Sequence, residues 1–141
     1  MEPELQPAKG VKNLEPYGAV VLGSAVYVGM WRKSAVKFLK KHESTLAKLP
    51  VWLFSTGPTG EGDPVELLKG WRFPEKHQPI VERIQPREIA VFHGVLDMDI
   101  LNPIHKSMIK AVKANMGDFR DWDAITAWAK GIAKTLADDT R

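Results

Sequence analysis

No cysteine occurs in the 141 residues. This excludes disulfides, thiolate metal sites and a cysteine nucleophile, and it fits a reducing cytosol. Long apolar runs are missing too: none approaches the roughly 20 residues that a membrane-spanning helix needs. The opening MEPELQPAKG lacks the basic-then-apolar pattern of a signal peptide, so a cytoplasmic location is expected. Charge is only weakly one-sided, with 20 Lys and Arg against 17 Asp and Glu for a net +3. That balance does not mark a nucleic-acid binder. Internal repeats and low-complexity tracts are also absent. So are several catalytic signatures. No G-x-G-x-x-G follows a strand, no phosphate-loop G-x-x-x-x-G-K-[ST] occurs, and Ser24 is not in a G-x-S-x-G elbow. His42, His77, His93 and His105 are scattered without an i, i+4 partner, and no metal site is expected.

What is present suits one domain, spanning 1–141. Residues 1–16 read as irregular, with at most a short edge strand at Glu4 to Ala8. AVVLGS, Ala19 to Ser24, reads as a buried strand ended by glycine. From Arg32 to Leu46 an amphipathic helix is expected. Ala35, Phe38, Leu39, His42 and Leu46 share its apolar face, while Lys33, Lys37, Lys40 and Lys41 lie elsewhere on it. VWLFST, Val51 to Thr56, is a second buried strand, and the glycine- and proline-rich GPTGEGDP after it is a loop. Val65 to Lys69 reads as a helical turn, and Pro79 to Ile84 as a short helix opened by proline. EIAVFHGVL, Glu88 to Leu96, is a third buried strand. Asn102-Pro103 caps a helix to about Asn115, and Asp121 caps the last one. Ile125, Trp128, Ala129, Ile132 and Leu136 form the apolar face of that last helix, with Trp122 and Trp128 expected in the core. Strands alternating with helices predict an α/β fold with a parallel sheet.

Ligands of such sheets bind beyond the carboxyl ends of the strands. Two strand-end loops fall there, Ser24 to Trp31 and Ser55 to Asp63. They carry glycines, hydroxyls at Ser24, Ser55 and Thr56, and the aromatics Tyr27 and Trp31. Glycine lets backbone N–H groups approach a flat ring, and an aromatic covers its face. His93, near the end of the third strand, is the one histidine close to this edge. No residue is identified as a proton-transfer catalyst.

YGAVVLGSAVYVGMWRKSAVKFLKKH, LPVWLFSTGP, FHGVLD and GDFRDWDAITAWAKGIAKTL resemble, in order, flavodoxin-domain proteins of the menaquinone-dependent protoporphyrinogen oxidase type. The resemblance implies a flavodoxin-like parallel sheet with helices on both faces. It implies FMN as cofactor, with Ser24, Ala25, Val26, Tyr27 and Gly29 on one side of the isoalloxazine and Ser55, Thr56, Gly57 and Gly60 on the other. A quinone, a porphyrinogen or another redox protein would be the electron partner. The family opens with a strand, a Ser/Thr-rich phosphate loop and a helix that have no counterpart in these residues. The fold is therefore expected to be N-terminally incomplete and FMN binding weak or lost. An open edge on Ala19 to Ser24 then predicts a homodimer or higher assembly. The alternative is a cofactor-free flavodoxin-like interaction module or truncated remnant.

Overall fold

A computed structural model describes residues 3–27, 29–58, 62–96 and 117–139. The described elements are β1 (Val20–Tyr27), β2 (Met30–Trp31), α1 (Lys33–Leu46), β3 (Val51–Thr56), α2 (Pro64–Leu67), α3 (Gln78–Ile84), β4 (Glu88–Phe92), β5 (Val95–Leu96), β6 (Gly117–Asp118) and α4 (Trp122–Asp139). The main sheet has the order β2-β1-β3-β4, and β5 pairs with β6 in a separate ladder. β1, β3 and β4 run parallel, with Val20 beside Val51, Ser24 beside Ser55, and Thr56 beside Phe92. β2 turns back antiparallel onto the end of β1, pairing Trp31 with Val26 and Met30 with Tyr27. This is a flavodoxin-like α/β fold.

Strand alternation sorts the two faces. Leu22, Val51 and Leu53 point into a core shared with Ala35, Phe38, Leu39 and Leu46 of α1 and with Ile80, Val81 and Ile84 of α3. The five positions expected on the buried face of α1 are all buried. On the opposite face Phe54 and Phe92 meet the Trp128 ring of α4 at 5.8 and 5.3 Å. A Cβ on Gly23 would come within 2.0 Å of the Phe54 ring. Glycine in the middle of this strand is therefore the space into which that ring packs. Arg87 lies over the Trp52 ring and bonds Asp139 at 2.7 Å, joining the start of β4 to the end of α4.

The structure departs from the sequence reading in several places. β1 does not stop at Ser24 but continues to Tyr27, because the chain returns through Gly29 (φ +72°) as a hairpin. Its last residues are strand rather than loop. The expected strand Glu88 to Leu96 breaks at His93-Gly94, and its last two residues pair with β6 instead. Residues 3–7 form no strand, and a 3-10 turn follows at Ala8–Gly10. Trp122 is 60% exposed, with the Arg120 guanidinium over its ring, so it is not a core residue. Trp128 is half-buried, and of the apolar face expected on α4 only Ile132 is buried. Asp121 does cap this helix, accepting from Ala124 N at 3.0 Å. The helix expected from Asn102 to Asn115 lies outside the described residues.

Candidate functional site at the carboxyl edge of the sheet

Three parallel strands deliver their carboxyl ends to one edge. Ser24 to Tyr27, Ser55 to Gly57 and Phe92 to Gly94 therefore lie side by side. Beyond the last ladder pair the contact becomes backbone on backbone. Gly57 N donates to Phe92 O at 3.3 Å, and Gly94 N to Pro58 O at 3.0 Å. A Cβ on Gly94 would sit 3.1 Å from Gly57 Cα, and one on Gly57 would sit 3.4 Å from Val26 Cβ and O. Val26, Gly57 and Gly94 thus pack backbone on backbone, and the two glycines let these three segments close into a platform at the edge. The sequence-predicted residues Ser24, Ala25, Val26, Ser55, Thr56 and Gly57 come together here, along with the backbone of Tyr27. Gly29 lies at the hairpin turn, with open space where a Cβ would be. Gly60 lies outside the described residues.

The serine hydroxyls face inward. Ser24 Oγ donates to Ala25 O at 2.8 Å and accepts from Arg32 N at 2.9 Å, which fixes the entry to α1. Ser55 is fully buried. Its Oγ accepts from Trp31 Nε1 at 2.8 Å and donates to Arg72 O at 3.0 Å. Trp31 is buried with Ser55 and meets Phe73 edge-on at 4.8 Å. These hydroxyls hold the hairpin, β3 and the segment around Arg72 together, and the aromatic at Trp31 is part of that structure rather than a surface cover.

His93 takes a larger part than its lone position in the sequence indicated. Its Nδ1 is 3.2 Å from Pro58 O and its Nε2 is 2.6 Å from Gly62 O. Both partners are carbonyls and can only accept, while a neutral imidazole carries one N–H. Either neutral tautomer donates to one of the two carbonyls, and the ring so links the loop after β3 to the end of β4. Next to it, Phe119 N donates to Gly94 O at 3.0 Å, which brings in the Asp118–Arg120 pair. The Arg120 side chain holds the Asp118 carboxyl down at about 2. The only signal of this staple in the sequence is a histidine directly after an apolar strand.

The donor set decides what such an edge suits. An uncharged conjugated ring with its own donors and acceptors asks for peptide groups and hydroxyls rather than charge. A dianionic phosphate instead asks for several convergent N–H or cationic groups, and residues 24–27 and 55–58 contribute no cation. Residues 24–27 and 55–58 are thus compatible in chemistry with the ring of a flavin nucleotide. Residues 2–123 match the family model of a flavodoxin domain. No curated protein and no solved structure matches the chain.

Proposed function

Because the chain belongs to the flavodoxin domain family, we propose that its sheet edge holds the isoalloxazine ring of FMN in an oxidoreductase or electron-transfer role. What supports this reading is the flavodoxin-domain match over residues 2–123, together with the convergence of the carboxyl ends of β1, β3 and β4 on one edge. When bound, FMN accepts electrons as hydride or one at a time, and the protein supplies position and electrostatics. Ala25, Val26 and Gly57 border the ring. Tyr27, Gly29, Thr56 and Gly60 complete its surroundings, and Ser24 and Ser55 act behind them by holding the loops. The electron partner is a quinone, a porphyrinogen or another redox protein, following the resemblance to the protoporphyrinogen oxidase type. Copies of the 141-residue chain associate through the edge of β1.

Affinity follows from the donor set. Charge-assisted hydrogen bonds to a phosphate contribute roughly 1.5–3 kcal/mol each. Going without three or four of them, with water taking part of their place, costs about 4 kcal/mol, or roughly a thousandfold in affinity. The 141-residue chain is therefore expected to bind FMN only at about micromolar affinity or weaker, with little preference over riboflavin. Flavin-fluorescence titration with both ligands tests this. Nanomolar FMN binding with strong rejection of riboflavin would overturn the assignment of the ring half alone. The inward-facing hydroxyls of Ser24 and Ser55 favour a second reading, a cofactor-free interaction module. A protein that is purified colourless and binds neither flavin would establish it.

A further inference from the structure

Away from the sheet edge, the N-terminal turn at Ala8–Gly10 lies against α1 and leaves two cavities between them, of about 570 and 350 Å³. They are neighbours, with Ala8, Lys9 and Ser34 lining both. The first also takes in Arg32 and Lys33, and the second Lys37 and Lys41. Five cations thus border one groove, and neither lining contains a carboxylate. Glu43, the one acid of α1, is occupied elsewhere, with Arg83 of α3 at 2.5 Å.

The cations are ordered rather than scattered. Lys33, Lys37 and Lys41 follow one another at i, i+4 and i+8, so they form a single row along α1. At 1.5 Å per residue the row is about 12 Å long. Lys9 faces it from the other wall. The start of α1 opens into the same groove, and its N-cap residue, Arg32, makes no side-chain capping bond.

A second observation lies at the far end. His42 lines the smaller cavity and is 7% exposed, and its Nε2 has no hydrogen-bond partner among the described residues. Burial and the neighbouring Lys41 push its imidazole below the usual histidine range. Its ring also hydrogen-bonds the Val11 backbone, and its place in the lining makes the imidazole a reporter of anything bound beside Lys9 and Lys41.

We propose that this groove is a binding site for a small, multiply charged anion of the oligophosphate class. The length of the lysine row exceeds what a single phosphate can span, and a chain of phosphates would meet successive lysines. Lysine is a point-charge donor and suits phosphate without bidentate geometry. Phe38, packed on the His42 ring at 4.7 Å, gives the inner wall an apolar surface. The site lies apart from the carboxyl-edge platform and does not depend on flavin binding there.

The test is a calorimetric titration of the 141-residue chain with inorganic tripolyphosphate at low and moderate salt. It is run beside Lys37→Glu/Lys41→Glu and the control Lys130→Glu/Lys134→Glu. The control makes the same charge change at the same helical spacing on α4, where both lysines are exposed. Saturable binding is expected for the unmodified chain and the control. Reversing Lys37 and Lys41 should weaken it about tenfold or more, since attraction becomes repulsion at two positions along the row. The imidazole cross-peaks of His42 in the unmodified chain should shift on saturation, a readout that does not require any variant to fold. Equal weakening by both charge reversals would reduce the effect to net charge. Absence of saturable binding, an unmoved His42 signal, or binding of an oligo-glutamate peptide but not tripolyphosphate would each overturn the proposal.

Discussion

Ser55 shows how much one buried hydroxyl determines in this fold. It is both acceptor for Trp31 and donor to the Arg72 carbonyl, and it has no exposed surface. Ser55→Ala leaves a buried indole N–H and the part-buried Arg72 carbonyl without this partner, at about 1–3 kcal/mol each. We expect denaturant unfolding of Ser55→Ala to show a loss of roughly 2–6 kcal/mol, the sum of those two penalties. Riboflavin affinity per folded molecule should change little. A stable variant with lost flavin binding would instead place the hydroxyl in contact with the ring. The sequence displayed the hydroxyls at the strand ends but not their direction. Trp31 is 24 positions from Ser55 and reaches it only because the hairpin turns β2 back. The role of Gly23 was equally hidden, since the ring that fills its place comes from the neighbouring strand.

At the level of elements, α1 was the most legible. Its apolar positions recur at helical spacing over 14 residues, and packing against β1, β3 and α3 follows that stripe. Short strands were harder to bound. Ala25, Val26 and Tyr27 look like loop residues beside glycines, but pairing with Met30 and Trp31 extends β1 over them. α4 misled in another way. Apolar periodicity was present, but the helix packs mainly through Trp128 and Ile132 and leaves Trp122 outside. α1 and the turn before α3 each bury a histidine, and this makes stability depend on pH. Burial, then Lys41, lowers the His42 pKa, and burial, then Lys40 and Lys76, lowers that of His77. Below about pH 6.5 the unfolded chain takes up protons that the folded chain refuses. Stability is therefore expected to be full above that value and to fall as the pH drops below it toward the lowered folded-state values. Urea denaturation between pH 5 and 8 measures the slope, and His77→Leu should reduce it. A flat profile would mean that both rings charge without leaving the fold.

For the molecule as a whole, the decisive feature is the open edge of β1. Among the described residues, β1 pairs with β3 on one side along Val20 to Ala25 and has no strand on the other. No charge or proline protects those six residues, and Val21 is 47% exposed. Such an edge is a pairing site. Light scattering of the 141-residue chain at micromolar concentration is expected to show a dimer or larger species, and Val21→Lys should shift it toward monomer. A monomer stable to dilution would rule out association through this edge.

The short hairpin also limits what that edge can accept. Met30 and Trp31 already occupy the places opposite Tyr27 and Val26, and Trp31 is anchored to Ser55. An incoming strand can therefore lie along Val20 to Ala25 only, about 20 Å of ladder. It cannot slide toward the carboxyl end without meeting Trp31. The turn at Gly29 works as a doorstop: it sets in advance the length and the phase of any strand that joins the sheet, and it keeps that strand clear of the platform where the ligand is proposed to sit.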